Sequence, residues 1–135
     1  MYQKITIVGR LGKDPEMRFM PNGDAVTNMS VAVSERKKDG SGSYNEHTTW
    51  IRVVVWGKQA ENCHQYLAKG KLVLVEGSLK SDANGNPSTF TRSDGSAGAS
   101  FEVTAHTVKF LSPAGGNGGG SNSPVITPVD EDDPF

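Results

Sequence analysis

The stretch Thr48 to Gly57 (TTWIRVVVWG) narrows most sharply what this chain can become. Tryptophan and the β-branched residues suit a pleated surface. Strand period two then puts Ile51, Val53 and Val55 on one face and Trp50, Arg52, Val54 and Trp56 on the other. The first face needs a core. The second holds both tryptophans of the chain, with a guanidinium about 6 to 7 Å from Trp50 and twice that from Trp56 at roughly 3.3 Å per residue. Rings with a cation between them form a stacking surface of the kind single-stranded nucleic acid uses. A strand between two packed sheets would bury both faces instead, and the strand alone leaves that open. Arg52 favours the exposed face, because burying its charge costs several kcal/mol unless it is paired.

The 135 residues suit one domain with one core. The 16 glycines favour a β-rich fold with many turns. No apolar run is long enough for a bilayer and no basic-then-apolar secretory start is present, so the expectation is a cytoplasmic protein without a membrane partner. A lone Cys63 fits a reducing compartment. The net charge of −1 hides an asymmetry: residues 1–112 hold all 14 basic and 11 acidic residues, a net +3, while residues 113–135 carry −4. A mildly basic body with an acidic tail follows.

Tyr2 to Arg10 reads as a first strand, with Ile5, Ile7 and then Leu11 on one side. Glu16 to Phe19 is a short extension, and Pro21-Asn22-Gly23 a tight turn into a second strand, Ala25 to Glu35, whose core face is Met29, Val31 and Val33. Arg36 to His47 is polar, Gly/Ser-rich and expected to be a long mobile hairpin loop. Arg36, Lys37 and Lys38 at its start are either a solvated tip or phosphate contacts, and their lead into Trp50 favours the latter. After Trp56 and Gly57, the spacing of Ala60, Cys63, His64 and Leu67 predicts an amphipathic helix of about ten residues ended by Lys69-Gly70. Cys63 and His64 lack zinc-ligand spacing, so Cys63 reads as buried filler and His64 as a helix-face residue.

Leu72 to Leu79 is a fourth strand, its apolar start implying burial on both faces and Gly77 a bulge or bend. Lys80 to Ala99 reads as a polar loop in which Ser88-Thr89-Phe90-Thr91-Arg92 places an aromatic and a cation. Ser100 to Leu111 is the fifth strand: Phe101, Val103 and Ala105 share a face, and the phase slips by one before Val108 and Phe110, as at a bulge. Three strands, a helix and two strands are the order an OB-fold requires, an all-β five-stranded barrel that binds oligonucleotides on the face of its second and third strands. Past Ser112 the Gly, Asn, Ser and Pro of residues 113–129 predict a disordered linker. Asp130-Glu131-Asp132-Asp133-Pro134-Phe135 then closes the chain; solubility explains the carboxylates but not the terminal Phe.

The chain resembles the bacterial single-stranded DNA-binding protein (SSB) family along its length. The resemblance rests on Gly9 to Glu16 (GRLGKDPE), Arg18 to Gly23 (RFMPNG), Trp50 to Lys58 (WIRVVVWGK), Tyr66 to Gly70 (YLAKG), Val75-Glu76-Gly77 and the tail Asp132 to Phe135 (DDPF). It implies that Trp50, Trp56 and Phe90 are base-stacking residues; the reading of the residues themselves adds Arg52, Arg92, Arg36, Lys37 and Lys38 as expected DNA-binding cations. It also implies a homotetramer that wraps single-stranded DNA, associates with the nucleoid, and serves replication, recombination and repair. Asp130 to Phe135 would dock on partner enzymes of those processes. Three departures stand out: Arg36-Lys37-Lys38 replaces an early aromatic, the loop before Phe90 is long, and the linker is short. No catalytic motif competes, because Asp14, Glu16, Asp24 and Glu76 are scattered without convergence; no enzyme activity, metal or cofactor is expected. An RNA-binding or primosome-type OB module would not need the Asp-Asp-Pro-Phe tail, and a barrel that assembles only with proteins would not respond to oligonucleotides.

Overall fold

In the computed structural model, which describes residues 1–113, the chain forms seven strands and one helix. They are β1 (Ile5–Leu11), β2 (Glu16–Phe19), β3 (Ala25–Lys38), β4 (Tyr44–Trp56), α1 (Lys58–Tyr66), β5 (Leu72–Leu79), β6 (Ser88–Thr91) and β7 (Ala97–Phe110). Five of them, in the order β1-β5-β7-β4-β3, close into a barrel through a second edge of β1 paired to β3. This is the expected five-stranded OB-fold barrel, with the helix between its third and fourth strands. The short strands β2 and β6 add to β3 and β7. All pairings are antiparallel except β4 with β7.

The β3–β4 hairpin is longer than the sequence suggested. Its ladder holds 13 pairs from Val26↔Trp56 to Lys38↔Tyr44, so most of the expected loop from Arg36 to His47 is strand and only 39–43 turns. Two forces extend the pairing. Arg36 faces Glu46 across the ladder, an opposite-charge pair. Asp39 locks the turn by accepting from the Ser41 and Ser43 N–H groups at 2.8 and 3.0 Å and from the Ser41 hydroxyl at 2.7 Å. Those bonds, the Ser41 hydroxyl foremost, hold the Asp39 carboxyl below its ordinary value.

Inside the barrel Met29, Val31, Val53, Val55, Val73, Val75 and Val103 are buried. The helix closes one end with Ala60 and Cys63, followed by Leu67. The Thr27 hydroxyl donates to the Ala60 carbonyl at 2.8 Å and ties the helix to the barrel. Cys63 is fully buried, which pushes its thiol up to about 11, and His64 is exposed. The helix ends earlier than expected, at Tyr66. Leu67 turns extended (φ −105°), still donating to the Cys63 carbonyl, so that its side chain drops into the core. Gly70 (φ 91°) belongs to the next turn, where its N–H meets the Leu11 carbonyl at 2.8 Å.

Further strand boundaries also differ. The first strand starts at Ile5, not Tyr2. In β5 only Val73, Val75 and Gly77 are buried; Leu72 and Leu74 are half-buried on the outer surface, so burial is one-sided within this chain. The segment Lys80 to Ala99 is partly a hairpin, with β6 paired to the start of β7. Phe101 lies opposite Ile51 and stays exposed, so it is not core.

The phase slip in β7 is a bulge. Register passes from Glu76↔Thr107 to Gly77↔Ala105, leaving His106 as the extra residue. Gln59 on the helix satisfies it, donating to the His106 carbonyl at 3.1 Å and accepting from the Val108 N–H at 2.7 Å. At this crossing a Cβ on Gly77 would run into the Thr104 carbonyl and come within 3.0 Å of the Ala105 Cα. Gly77→Ala should therefore cost about 1–3 kcal/mol, the range for overpacking. Gly40→Ala, in open space, should stay within about 0.5 kcal/mol. Equal urea midpoints for the two variants would show that the crossing has slack.

Candidate nucleic-acid interface

The outward face of β4 is built by alternation. Ile51, Val53 and Val55 turn inward, while Trp50 and Trp56 remain 56% and 45% exposed with Arg52 between them. Val54 is buried beneath, giving the exposed row an apolar floor. Across the ladder the row meets Ala32, Ser30, Asn28 and Val26 on β3. These small or short side chains leave the ring surfaces uncovered.

Trp50 also has a seat. A Cβ on Gly12 would overlap the six-membered edge of the Trp50 indole, so only glycine lets the ring lie there. Gly12 is itself pinned by its N–H to the Ser30 carbonyl at 2.9 Å.

Phe90 lies on β6, 48% exposed. Its register partner is Gly98, where a Cβ would come within 2.7 Å of the Phe90 ring and 2.8 Å of the Arg92 guanidinium. Arg92 sits 5.5 Å from the Phe90 ring centroid and donates to the Ala97 carbonyl. Two register steps connect this hairpin to the tryptophans: Ser88 pairs with Ser100, and Glu102, next on that side of β7, pairs with Arg52. Phe90, Arg52 and the two tryptophans therefore lie on one side of the sheet.

Glu102 was invisible in the sequence as anything but a strand residue. It is 8% exposed and accepts from the Ser88 and Ser100 hydroxyls at 3.3 and 3.2 Å. It also pairs with Lys80 at 3.5 Å and Arg52 at 3.8 Å. A buried carboxylate needs such partners. The only sequence signal was a single acid amid the apolar residues of that strand. Beside it lies a shallow depression of about 320 Å³ lined by Arg18, Asn28, Arg52, Trp56, Lys80 and Glu102 among others. Arg18 and Lys80 are further cations that sequence reasoning did not single out.

The three adjacent cations at the end of β3 do not share one face. Arg36 and Lys38 pair with Glu46 and Tyr44, and Lys37 with Asn45, so Lys37 points to the opposite side. Arg36 and Lys38 lie 4.8 and 5.9 Å from the Tyr44 ring centroid. Tyr44, 57% exposed, is the aromatic that the reading of this segment as a loop overlooked. The residues Asp130, Glu131, Asp132, Asp133, Pro134 and Phe135, and the linker before them, lie outside the described residues. Among the described residues, no three His, Cys, Asp or Glu side chains converge as metal ligands.

Because Gly12 seats the Trp50 indole, Gly12→Ala should reorient that ring. Near-ultraviolet circular dichroism of the variant should change, and the change should vanish when Trp50→Phe is added. Identical spectra for wild type and Gly12→Ala would show that the ring has another stable position.

The Single-strand binding protein family model matches residues 2–111. Single-stranded DNA-binding proteins of Neisseria meningitidis serogroups A and B are each 40% identical over 118 residues, 87% of this chain and 64% of theirs. The chain thus spans 64% of the length of those relatives. Single-stranded DNA-binding protein 1 of Chlorobaculum tepidum is 48% identical over 77 residues, 57% of this chain and 48% of that protein. Among solved structures, the small single-stranded DNA-binding protein from Streptomyces coelicolor superposes with a TM-score of 0.65 at 27% identity, covering 80% of this chain and 93% of that one. With the family matched across the whole barrel and 40% identity extending beyond it, this chain belongs to the single-strand binding protein family.

Proposed function

We propose that this chain binds single-stranded DNA without strong sequence preference, protecting it during replication, recombination and repair. The observation that carries the reading is the pair Trp50 and Trp56, half-exposed on one strand face with Arg52 between them. Bases stack on the rings because every base has a π-face, and cations meet the backbone whatever its sequence. Phe90 with Arg92 extends the same surface, and Arg36 and Lys38 lie along it. The protein holds DNA and does not alter it. The names of the relatives, all single-stranded DNA-binding proteins, support the reading.

Three further parts complete it. Residues 1–112 are the DNA-binding domain, residues 113–129 a linker, and Asp130 to Phe135 a tip that recruits partner enzymes, its charges steering encounter and its ring anchoring. The domain assembles as a homotetramer. In support, Leu72 and Leu74 on β5 and Val8 on β1 leave an outer apolar surface half-buried within one chain, and Val8 and Leu74 pair directly. The protein works in the cytoplasm at the nucleoid; among the described residues no helix is long and apolar enough to cross a membrane.

Titration of tryptophan fluorescence with single-stranded DNA, duplex and RNA tests the central claim. Single-stranded DNA should bind far more tightly than duplex, and more weakly as salt rises; equal affinity for duplex would sink it. Trp50→Ala and Trp56→Ala should each lose about 1–3 kcal/mol, the range for OB-fold single-strand binders as a class. Arg52→Ala should lower the salt slope by about one. A Trp variant that unfolds while binding normally per folded molecule would assign that ring to the core instead.

The tail and the assembly are separable. Deleting Pro134 and Phe135 should abolish capture of a recombination helicase or exonuclease and leave DNA affinity nearly unchanged. A chain ending at Ser112 should keep the subunit number of the full chain in sedimentation. Undiminished capture, or a monomer at micromolar concentration, would refute the respective assignment.

A further inference from the structure

We propose that Tyr44, flanked by Arg36 and Lys38, is a further base-stacking site that carries the single-strand path out along the β3–β4 hairpin. The inference rests on the reading of the β4 face as a single-stranded DNA surface and lengthens it. Tyr44, Trp50 and Trp56 are each six residues apart on one strand. An even spacing keeps all three on one face, about 20 Å from ring to ring at roughly 3.3 Å per residue. Tyr44 is 57% exposed, as open as Trp50 at 56%.

The ring is placed, not loose. Its residue pairs with Lys38 at the last rung of the ladder, next to a turn fastened by the Asp39 carboxylate. Arg36 lies 4.8 Å and Lys38 5.9 Å from the ring centroid. An aromatic ring with two cations over it repeats the residue types of the Trp50–Arg52–Trp56 row: a half-exposed ring for a base and charges for the phosphates on either side of it. The competing account is local. Cation–π contact and coverage of the long side-chain stems would stabilise the hairpin tip and leave DNA untouched.

The two accounts separate on oligonucleotide length. The full chain and its variants Tyr44→Ala, Tyr44→Leu and Trp50→Ala are titrated with oligothymidylates of increasing length at two salt concentrations. With the longest oligomer Tyr44→Ala should weaken binding roughly tenfold or more, as expected for a lost base stack. With an oligomer too short to reach from Trp56 past Trp50, the same variant should match wild type. Tyr44→Leu, which keeps apolar bulk on the hairpin, should lose as much as Tyr44→Ala, and neither should change the salt slope. Arg36→Ala and Lys38→Ala should each lower that slope by about one on the long oligomer only. If Tyr44→Ala binds like wild type at every length while Trp50→Ala is weakened, Tyr44 is only a strand residue and the inference fails. If Trp50→Ala also binds like wild type, the single-strand reading of the whole face fails with it. A loss for Tyr44→Ala that is the same at every length, or that Tyr44→Leu restores, overturns the inference in favour of hairpin stability.

Discussion

The register between β3 and β4 is the constraint on which both faces of the molecule depend. Thirteen pairs run in phase from Val26↔Trp56 to Lys38↔Tyr44. A slip of one residue in β4 would turn Val53 and Val55 toward water and drive Trp50, Arg52 and Trp56 into the barrel. The penalty on that slip is the core itself, since Met29, Val31, Val53 and Val55 are buried together. The apolar effect thus fixes the exposed aromatics indirectly, by leaving them no other side to occupy. The Asp39 turn closes the far end of the same ladder, and Gly57 (φ 75°) turns the chain at the near end into α1.

Glu102 does a second, electrostatic kind of fixing. A carboxylate taken out of water is costly unless surrounded by donors, and here the donors come from β6, β7, β4 and the residue just after β5. One acid therefore joins the outlying hairpin of Phe90 to the row of tryptophans. It also holds Arg52 from below while that side chain stays half-exposed, an orientation a free surface arginine would have to spend rotamer entropy to adopt.

What could be read from the sequence was whatever depends on local period. The core faces of β3 and β4, the Ala60–Cys63–Leu67 stripe, the limits of β5 and the bulge beyond Ala105 all follow from counting residues along one element. What escaped depends on a partner far along the chain. The residues Arg36 to His47 look like loop because they are charged and Gly/Ser-rich, and only their cross-strand pairing with one another makes them strand. Tyr44 vanished into that supposed loop. Ser88 to Thr91 is too short to announce itself as a strand without β7 beside it. Apart from Ser100, two positions before it, the donors that give Glu102 its importance lie 14 to 50 positions away.

The barrel closes on a narrow seam. β1 meets β3 through two ladder pairs, Arg10↔Ala32 and Leu11↔Val31, followed by the single bond from the Gly12 N–H to the Ser30 carbonyl. Gly9 packs there against the Ala32 carbonyl with no room for a side chain. With two ladder pairs this is the shortest of the barrel's five seams, against 13 pairs between β3 and β4, and a seam held by so few bonds is where local opening costs least. The Trp50 indole rests on Gly12, immediately past the seam, and Trp50 pairs with Ala32 within it. The outer aromatic row and the closure of the barrel therefore share one contact, so whatever bears on that indole bears also on the shortest seam of the cylinder.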